Sequence, residues 1–218
     1  MLCKHCKSNC IRKGKRNNIQ KYRCKICGKY SQERYIYRSY GAHINIEIVL
    51  FVKEGLGISS IARIQQISPK TVISRILKIG NRAQCPFPYM QGKSYDVDEM
   101  QTYVGNRETG ETYIAYALER DTGYIVSLVV GRRTKLNLSS VIHTLLLRNA
   151  HRIFTDGLPI YGTIVPKAIH KVSKLGTARI ERRNLTLRTH LKRLNRKTIC
   201  YSKSLAMLTA VVKIYFWE

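Results

Sequence analysis

Two Cys-x-x-Cys pairs, CKHC at Cys3 and Cys6 and CKIC at Cys24 and Cys27, set the strongest constraint on the first part of the chain. Residues 1–40 are polar and basic, and a segment that short cannot bury enough apolar surface to fold on a core alone. Four thiolates closing tetrahedrally on one zinc ion supply that missing free energy, and the two knuckles, separated by residues 7–23, have the spacing to do it. Five of the seven cysteines fall within the first 27 residues, which points to metal in a reducing compartment rather than to a disulfide scaffold. Cys10 is an alternative to Cys6 as fourth ligand, though the CxxC geometry favours Cys6; Cys85 and Cys200 read as small hydrophobes. The segment is therefore expected to be a zinc ribbon. Arg12, Lys13, Lys15, Arg16, Lys21, Arg23 and Lys25 give it a surface suited to a phosphate backbone.

Residues 41–84 carry a helical period. Ile48, Phe51 and Val52 suggest a helix stopping at Gly55, and Ser59 or Ser60 can cap a second around Ile61 to Gln65. Ser68-Pro69 supplies an N-cap followed by proline at the first helical position, opening a third helix through about Ile79. This order predicts a helix-turn-helix module. On its third helix Val72, Ile73, Ile76 and Leu77 are expected inward, which turns Lys70, Thr71, Ser74, Arg75 and Lys78 toward a DNA major groove.

The whole chain of 218 residues carries 39 Lys and Arg against 13 Asp and Glu, a formal net charge of +26. Such a field attracts polyanions by counterion release and disfavours self-association. The start MLCKHCKSNC lacks the apolar core of a signal peptide, and no apolar run approaches the roughly 20 residues that span a bilayer. A cytoplasmic, nucleoid-associated protein bound to double-stranded DNA, with no membrane partner, is the expectation.

Cys85-Pro86-Phe87-Pro88 reads as a linker, because proline disfavours helix in the residue before it. Beyond it, residues 93–218 alternate strand-like and helix-like runs. SYDVDEMQTYVG, TYIAYALER and YIVSLVVG are three strands broken by turn signals at 106–110 and 121–123; 137–150 reads as a helix, HRIFTDG as a strand, and 169–172 as a short strand. A basic helix follows, and SLAMLTAVVKIYFWE is a final apolar helix that either finishes the core or mates with another subunit. The fold class predicted is α/β, a mixed sheet of the ribonuclease-H type, preceded by the zinc ribbon and the helix-turn-helix.

Acids are scarce enough in this part to be weighed singly. Glu108, Glu111, Glu119 and Asp121 fall in or beside predicted turns, where exposure is the natural expectation. Asp98 lies within a strand, Asp156 ends one, and Glu181 lies in ARIERRNLTLRTHLKRLNRK, which holds eight Lys or Arg and no other acid. The residues three and four positions from Glu181 are Thr177, Ala178, Asn184 and Leu185, none of them the cation that a structural helix Glu normally meets there. Ile180, Leu187, Leu191 and Leu194 form a core stripe, with Glu181 about 100° from it and nearly in line with Arg188 and Lys192. If adjacent strands carry the two aspartates and this helix crosses them, three carboxylates converge at one end of the sheet. Their mutual repulsion calls for divalent cations, Mg2+ or Mn2+.

YDVDEMQTYVG, IFTDGLPIY and RIERRNLTLRTHLKRLNRKTICYSKS together resemble the transposases of the bacterial insertion sequence family called IS-one, as do the N-terminal CxxC pairs and helix-turn-helix. The resemblance implies a DDE transposase whose triad is Asp98, Asp156 and Glu181, binding the terminal inverted repeats of its element and target DNA as a homo-oligomer. Asp96 is the rival first carboxylate on the same strand face, and the DEM match favours Asp98. The family often has a tryptophan where this chain has Gln101, and often splits its DNA-binding and catalytic parts by a programmed frameshift, whereas one frame carries both here. Arg188 and Lys192 are candidates for neutralising phosphate near the reacting bond, with Arg182 and Asn184 as second choices. The alternative is a DNA-binding regulator or a catalytically inactive remnant, against which stand three carboxylates placed in the most basic half of the chain.

Overall fold

The computed structural model describes residues 1–34, 41, 43–105, 111–173, 178–195 and 198–218; the turn expected at 106–110 lies outside them. The chain divides into two compact units, Met1–Gly41 and Ala42–Glu218.

In the first unit β1 (Cys10–Arg16), β2 (Ile19–Cys24) and β3 (Tyr30–Gln32) form an antiparallel sheet in that order. Asn17 and Asn18, at φ 50° and 57°, make the two-residue turn between β1 and β2, a left-handed conformation that asparagine tolerates better than other side chains. The four cysteines converge. Cys3 Sγ is 3.6 Å from Cys27 Sγ, Cys6 Sγ is 3.4 Å from Cys24 Sγ, and all four sulfurs lie within 4.8 Å of one another. Tetrahedral Zn–S bonds of about 2.3 Å put sulfurs roughly 3.8 Å apart, so the donor set suits zinc. Backbone N–H groups of His5 and Cys27 point at the sulfurs of Cys3 and Cys24, as a metal knuckle requires. Cys10 stands outside the cluster, its Sγ 4.0 Å from the Ser8 carbonyl.

The second unit begins with α1 (Ile44–Lys53), α2 (Ile58–Gln65) and α3 (Pro69–Arg82). Gly55, at φ +73°, lets the chain turn after α1, and a Cβ there would lie 2.0 Å from the His190 carbonyl oxygen. The N-cap of α2 is Gly57; Ser59 and Ser60, expected as caps, lie inside the helix because it starts at Ile58. Ser68 caps α3 as expected, its hydroxyl accepting from Thr71 N–H at 3.1 Å, and the helix runs on to Arg82. Val72 and Ile76 are fully buried, whereas Ile73 is 37% exposed and Leu77 is only partly buried, so the inward stripe is narrower than predicted.

A five-stranded sheet follows, built from β4 (Ser94–Thr102), β5 (Thr112–Glu119), β6 (Ile125–Gly131), β7 (Arg152–Thr155) and β8 (His170–Val172) in the order β6-β5-β4-β7-β8. β5 is antiparallel to β4 and β6, while β7 and β8 run parallel to β4, the ribonuclease-H arrangement. Strand alternation sorts the two faces. Tyr95, Val97, Ala115 and Ala117 pack against α4 (Lys135–Leu147) and against α5 (Pro159–Ile164), a helix not expected from the sequence. Met100, Ile114, Tyr116 and Leu118 pack on the other face, with α6 (Ala178–His190) and α7 (Leu205–Trp217). The basic helix stops at His190 because Leu191 leaves helical geometry (φ −100°, ψ 83°), and Lys192–Leu194 form one 3₁₀ turn. Ile180, Leu187, Leu191 and Leu194 are all buried as expected. Lys192, however, is off the helix, which removes it from the line with Glu181 and Arg188.

α7 finishes the core. Met207, Leu208, Val211 and Ile214 are buried in the same cluster that receives Ile48, Val52, Ile61, Val72 and Ile76, so α1–α3 and the sheet share one hydrophobic core across the stretch of sequence read as a linker. α3 approaches α7 closely in it: a Cβ at Gly80 would collide with Ala210 Cα. Among the described residues no helix is long and apolar enough to cross a membrane.

Two outcomes follow from this packing. Gly80→Ala is expected to destabilise the protein by about 1–3 kcal/mol in chemical denaturation through overpacking, with partial recovery in the Gly80→Ala/Ala210→Gly double variant. A zinc chelator is expected to speed amide hydrogen exchange through β1–β3 while leaving β4–β6 protected. Equal protection of β1–β3 with and without chelator contradicts a structural metal.

Candidate active site

β4 and β7 pair Ser94 with Arg152, Tyr95 with Ile153 and Asp96 with Phe154, a constant offset of 58 residues (152 − 94). Carried two pairs further, past the end of β7, the same offset brings Asp98 level with Asp156. The sheet thereby sets two carboxylates side by side where its strands part. Oxygens of Asp98, Glu99 and Asp156 lie within 4.8 Å of one another, a set able to hold a divalent cation.

Each carboxylate is held. Asp98 accepts from the Glu99 backbone N–H at 2.8 Å and from Asn184 Nδ2 at 2.8 Å. The Asn184 amide is oriented in turn by Tyr116, whose buried hydroxyl donates to Asn184 Oδ1 at 2.7 Å. Asp156 Oδ1 accepts from Leu158 N–H at 3.0 Å, just before α5 begins. Glu99 points to the opposite face of β4, where Tyr161 of α5 donates to its Oε2 at 2.9 Å. Burial, followed by the charges of Asp156 and Glu181, pushes the Asp98 carboxyl above its usual range against the two hydrogen bonds that lower it. Glu181 lies outside the tight three-carboxylate group, on the exposed first turn of α6, and acts on Asp98 through its charge.

The remaining acids separate by environment. Asp96 is fully buried, and its Oδ1 lies 3.3 Å from Arg120 Nε, so the rival first carboxylate is committed to an ion pair. Glu111 accepts from Gln101 Nε2 at 2.7 Å, and Asp121 pairs with Lys93 at 2.9 Å, both exposed as expected. Glu119 corrects the expectation: it is 2% exposed, because its position on β5 faces inward before the turn starts. Glu108 lies outside the described residues.

Of the residues expected to meet DNA, Lys70, Ser74 and Lys78 are exposed on α3; Thr71 Oγ1 is 2.8 Å from the Ser68 hydroxyl, and Arg75 reaches Asn45 Oδ1 at 3.4 Å. On α6, Arg182 is exposed and Arg188 donates to the Gln101 carbonyl at 3.3 Å. Asn184, expected at phosphate, is instead engaged at both ends of its amide by Asp98 and Tyr116. The sequence reading missed Glu99, Tyr116 and Tyr161. Glu99 had a readable signal, an acid adjacent to Asp98, but alternation assigns it to the other face; the cluster forms because both side chains meet at the end of the paired region. His170 Nε2 is 2.8 Å from Thr155 Oγ1, which donates to the Asp156 carbonyl and so stiffens the backbone beneath that carboxylate.

Residues 94–217 match the family described as IS1 transposase. The chain is 37% identical over 117 residues to the insertion element iso-IS1n protein InsB of Shigella dysenteriae, covering 54% of this chain and 88% of that protein. It is 32% identical over 151 residues to the insertion element IS1 2 protein InsB of Escherichia coli K12, covering 69% and 84%. Among solved structures, the catalytic core domain of HTLV-2 integrase in complex with magnesium is similar at a TM-score of 0.38 and 14% identity, over 58% of this chain and 84% of that one. With the family match spanning more than half its length and the sheet-end carboxylates inside the matched region, this chain belongs to the IS1 transposase family.

Proposed function

We propose that the protein is a DNA transposase that binds the ends of an insertion sequence and carries out metal-dependent strand cleavage and strand transfer at Asp98, Asp156 and Glu181. The observation that carries this reading is the convergence of Asp98 and Asp156 within a carboxylate group tight enough for a divalent cation, on a chain of net charge +26. Acids placed together in a strongly cationic protein repel DNA unless they hold metal. When bound, divalent cations supply activation of the attacking hydroxyl and charge stabilisation at the leaving oxygen of an in-line phosphoryl transfer.

The chain's own residues do the positioning. Asn184, oriented by Tyr116, fixes the Asp98 carboxylate, and Leu158 N–H fixes that of Asp156. Glu181, on the first turn of α6 and near enough for its charge to act on Asp98, would be the third carboxylate to hold a cation there. Arg188, braced on the Gln101 carbonyl, offers its guanidinium to a phosphate of the bound strand. Lys70, Thr71, Ser74, Arg75 and Lys78 on α3 read the element's end, and the basic ribbon contributes phosphate contacts of its own. Synapsis of two ends calls for a homo-oligomer on DNA.

Nicking of a duplex carrying the element's terminal repeat, with Mg2+ present, tests the reading. Asp98→Asn, Asp156→Ala and Glu181→Gln are each expected to lower the nicking rate by roughly a thousandfold, about 4 kcal/mol of transition-state stabilisation, with DNA binding retained. Binding without nicking in the wild type supports a DNA-binding regulator or an inactive remnant instead.

The carboxylate group has a pH signature in the absence of divalent cations. Burial, then the charges of Asp156 and Asp98, raise the Glu99 carboxyl from 4.5 to about 7, although the Tyr161 hydrogen bond pulls it down. Between those values the folded protein keeps a proton that the unfolded chain has lost, so this group's contribution makes stability fall as pH rises from about 4.5 to about 7 and level off above. In Mg2+-free buffer, Glu99→Gln is expected to flatten that fall and to unfold at a higher temperature than wild type at pH 8. A wild-type and variant difference that does not change with pH contradicts the assignment.

A further inference from the structure

A cavity of about 470 Å3 opens on the α6 side of the sheet, lined by Arg120, Arg179, Arg182 and Arg183 with Leu118 and Gly123 among its walls, and no carboxylate is among its described lining residues. None of Arg120, Arg179 and Arg183 was singled out by the sequence as a site residue. The guanidinium groups are organised rather than loose. Arg120 Nε lies 3.3 Å from the fully buried Asp96, and its guanidinium carbon is 3.9 Å from the centroid of the Phe154 ring. Arg183 Nη2 donates to the Gly123 carbonyl at 3.1 Å, and Arg179 Nη1 donates to the Arg120 carbonyl. Four guanidinium groups share the space with a single buried carboxylate, Asp96, which acts on both Arg120 and Arg179, and with the exposed Asp121 nearby, so positive charge stays in excess and favours an anion in the cavity.

We infer that this cavity is a second phosphate-binding site, which takes a backbone phosphate of the DNA strand one to two nucleotides from the reacting linkage, with Asp96 as the positioning residue that aims Arg120. The inference rests on the reading of the chain as a DNA strand-cutting protein and adds to it a place for the flanking strand. Its distance follows from the helix. Asn184 is bonded to Asp98, and at about 1.5 Å per residue Arg182 and Arg179 lie roughly 3 and 7.5 Å along α6 from that level, against about 3.4 Å per nucleotide along a DNA strand. Guanidinium is the group suited to this task, since its planar fork meets two phosphate oxygens at once.

The test is equilibrium binding of the full chain to a fluorescent DNA duplex of arbitrary sequence, over a range of salt concentrations and without Mg2+, so that no turnover enters. Arg179→Gln/Arg182→Gln is expected to reduce the slope of log affinity against log salt by about 1–2 units, since each lost phosphate contact removes about 0.9. Lys135→Gln/Lys167→Gln, which removes two exposed charges elsewhere, is expected to leave the slope as it is in wild type. Asp96→Asn gives the sharper sign. It raises the net charge, so unstructured attraction predicts tighter binding, whereas a pocket that depends on an aimed Arg120 predicts binding weakened about tenfold. An unchanged slope in the arginine double variant, or an Asp96→Asn protein that binds as tightly as wild type or more so, overturns the inference. If Asp96→Asn fails to fold by circular dichroism, the double variant decides, because both of its side chains are exposed. Failure to nick terminal-repeat DNA, by contrast, leaves these binding measurements standing.

Discussion

The hydrogen-bond chain from Tyr116 through Asn184 to Asp98 joins three elements that the sequence keeps far apart: β5, α6 and β4. Tyr116 is fully buried, and its ring packs against Phe216 of α7 at a centroid distance of 5.6 Å, so its hydroxyl has a fixed position from which to donate. A buried hydroxyl left without a partner costs about 1–3 kcal/mol, and that cost locks the Asn184 amide with its oxygen toward Tyr116 and its nitrogen toward Asp98. The helix that carries Glu181 is thereby pinned against the strand that carries Asp98. The Asp98 carboxylate is oriented by groups that cannot themselves titrate near neutrality: burial drives the Tyr116 phenol still further up from its ordinary value.

Charge explains why so few acids suffice and where they are. Asp96 and Glu119 are buried on opposite faces of the sheet, and Asp96 survives there because Arg120 comes with it. Asp121 is exposed and paired with Lys93. Among the described acids, Asp98, Glu99 and Asp156 are brought together rather than apart, and Asp98 and Glu99 hold their protons more tightly than free carboxyls, burial being the main cause. In a chain with three times as many cations as acids, an arginine was available to neutralise each of them. The fold directs Arg120 to Asp96 and Lys93 to Asp121, whereas Asp98 and Asp156 meet neutral donors, the Asn184 amide and the Leu158 N–H.

What the sequence disclosed follows from which forces are local. Ser68-Pro69 announced a helix start because an N-cap and a fixed φ act within four residues. Asp156 stood out because a strand end followed by glycine has a local signature, Asp98 because an acid inside an apolar strand-like run does and the DEM match picked it over Asp96, and the CxxC pairs because thiolate spacing is itself the ligand geometry. α5 was missed: six residues are fewer than two helical turns, too short to display a period, and with it went Tyr161 as the partner of Glu99. The end of the basic helix was misplaced because the leucine stripe persists through Leu191 and Leu194 after the helix has stopped. Apolar periodicity reports burial, and a 3₁₀ turn buries leucines on nearly the same schedule. Asn184 was read from its neighbours as a phosphate contact, whereas its partners come from strands 68 and 86 residues away, which no local pattern encodes.

The contact of α3 with α7 has a mechanical meaning. Helices approach this closely only where a residue has no side chain to hold them apart, and Gly80 meets the backbone of Ala210 there. On its other flank α7 is fastened to the sheet by Trp217, whose indole N–H donates to the Ile125 carbonyl at 2.8 Å, and by the Phe216 ring on Tyr116. α7 thus bridges α3 to the same tyrosine that orients Asn184. A ligand on the exposed face of α3 is held at a fixed distance from Asp98, through packed side chains and without an intervening flexible tether. Interiors at crystal-like density transmit displacement rather than absorb it. In this unit the exposed face of α3 and the Asp98 carboxylate are therefore joined by one continuous run of packed side chains, through Gly80, α7, Tyr116 and Asn184.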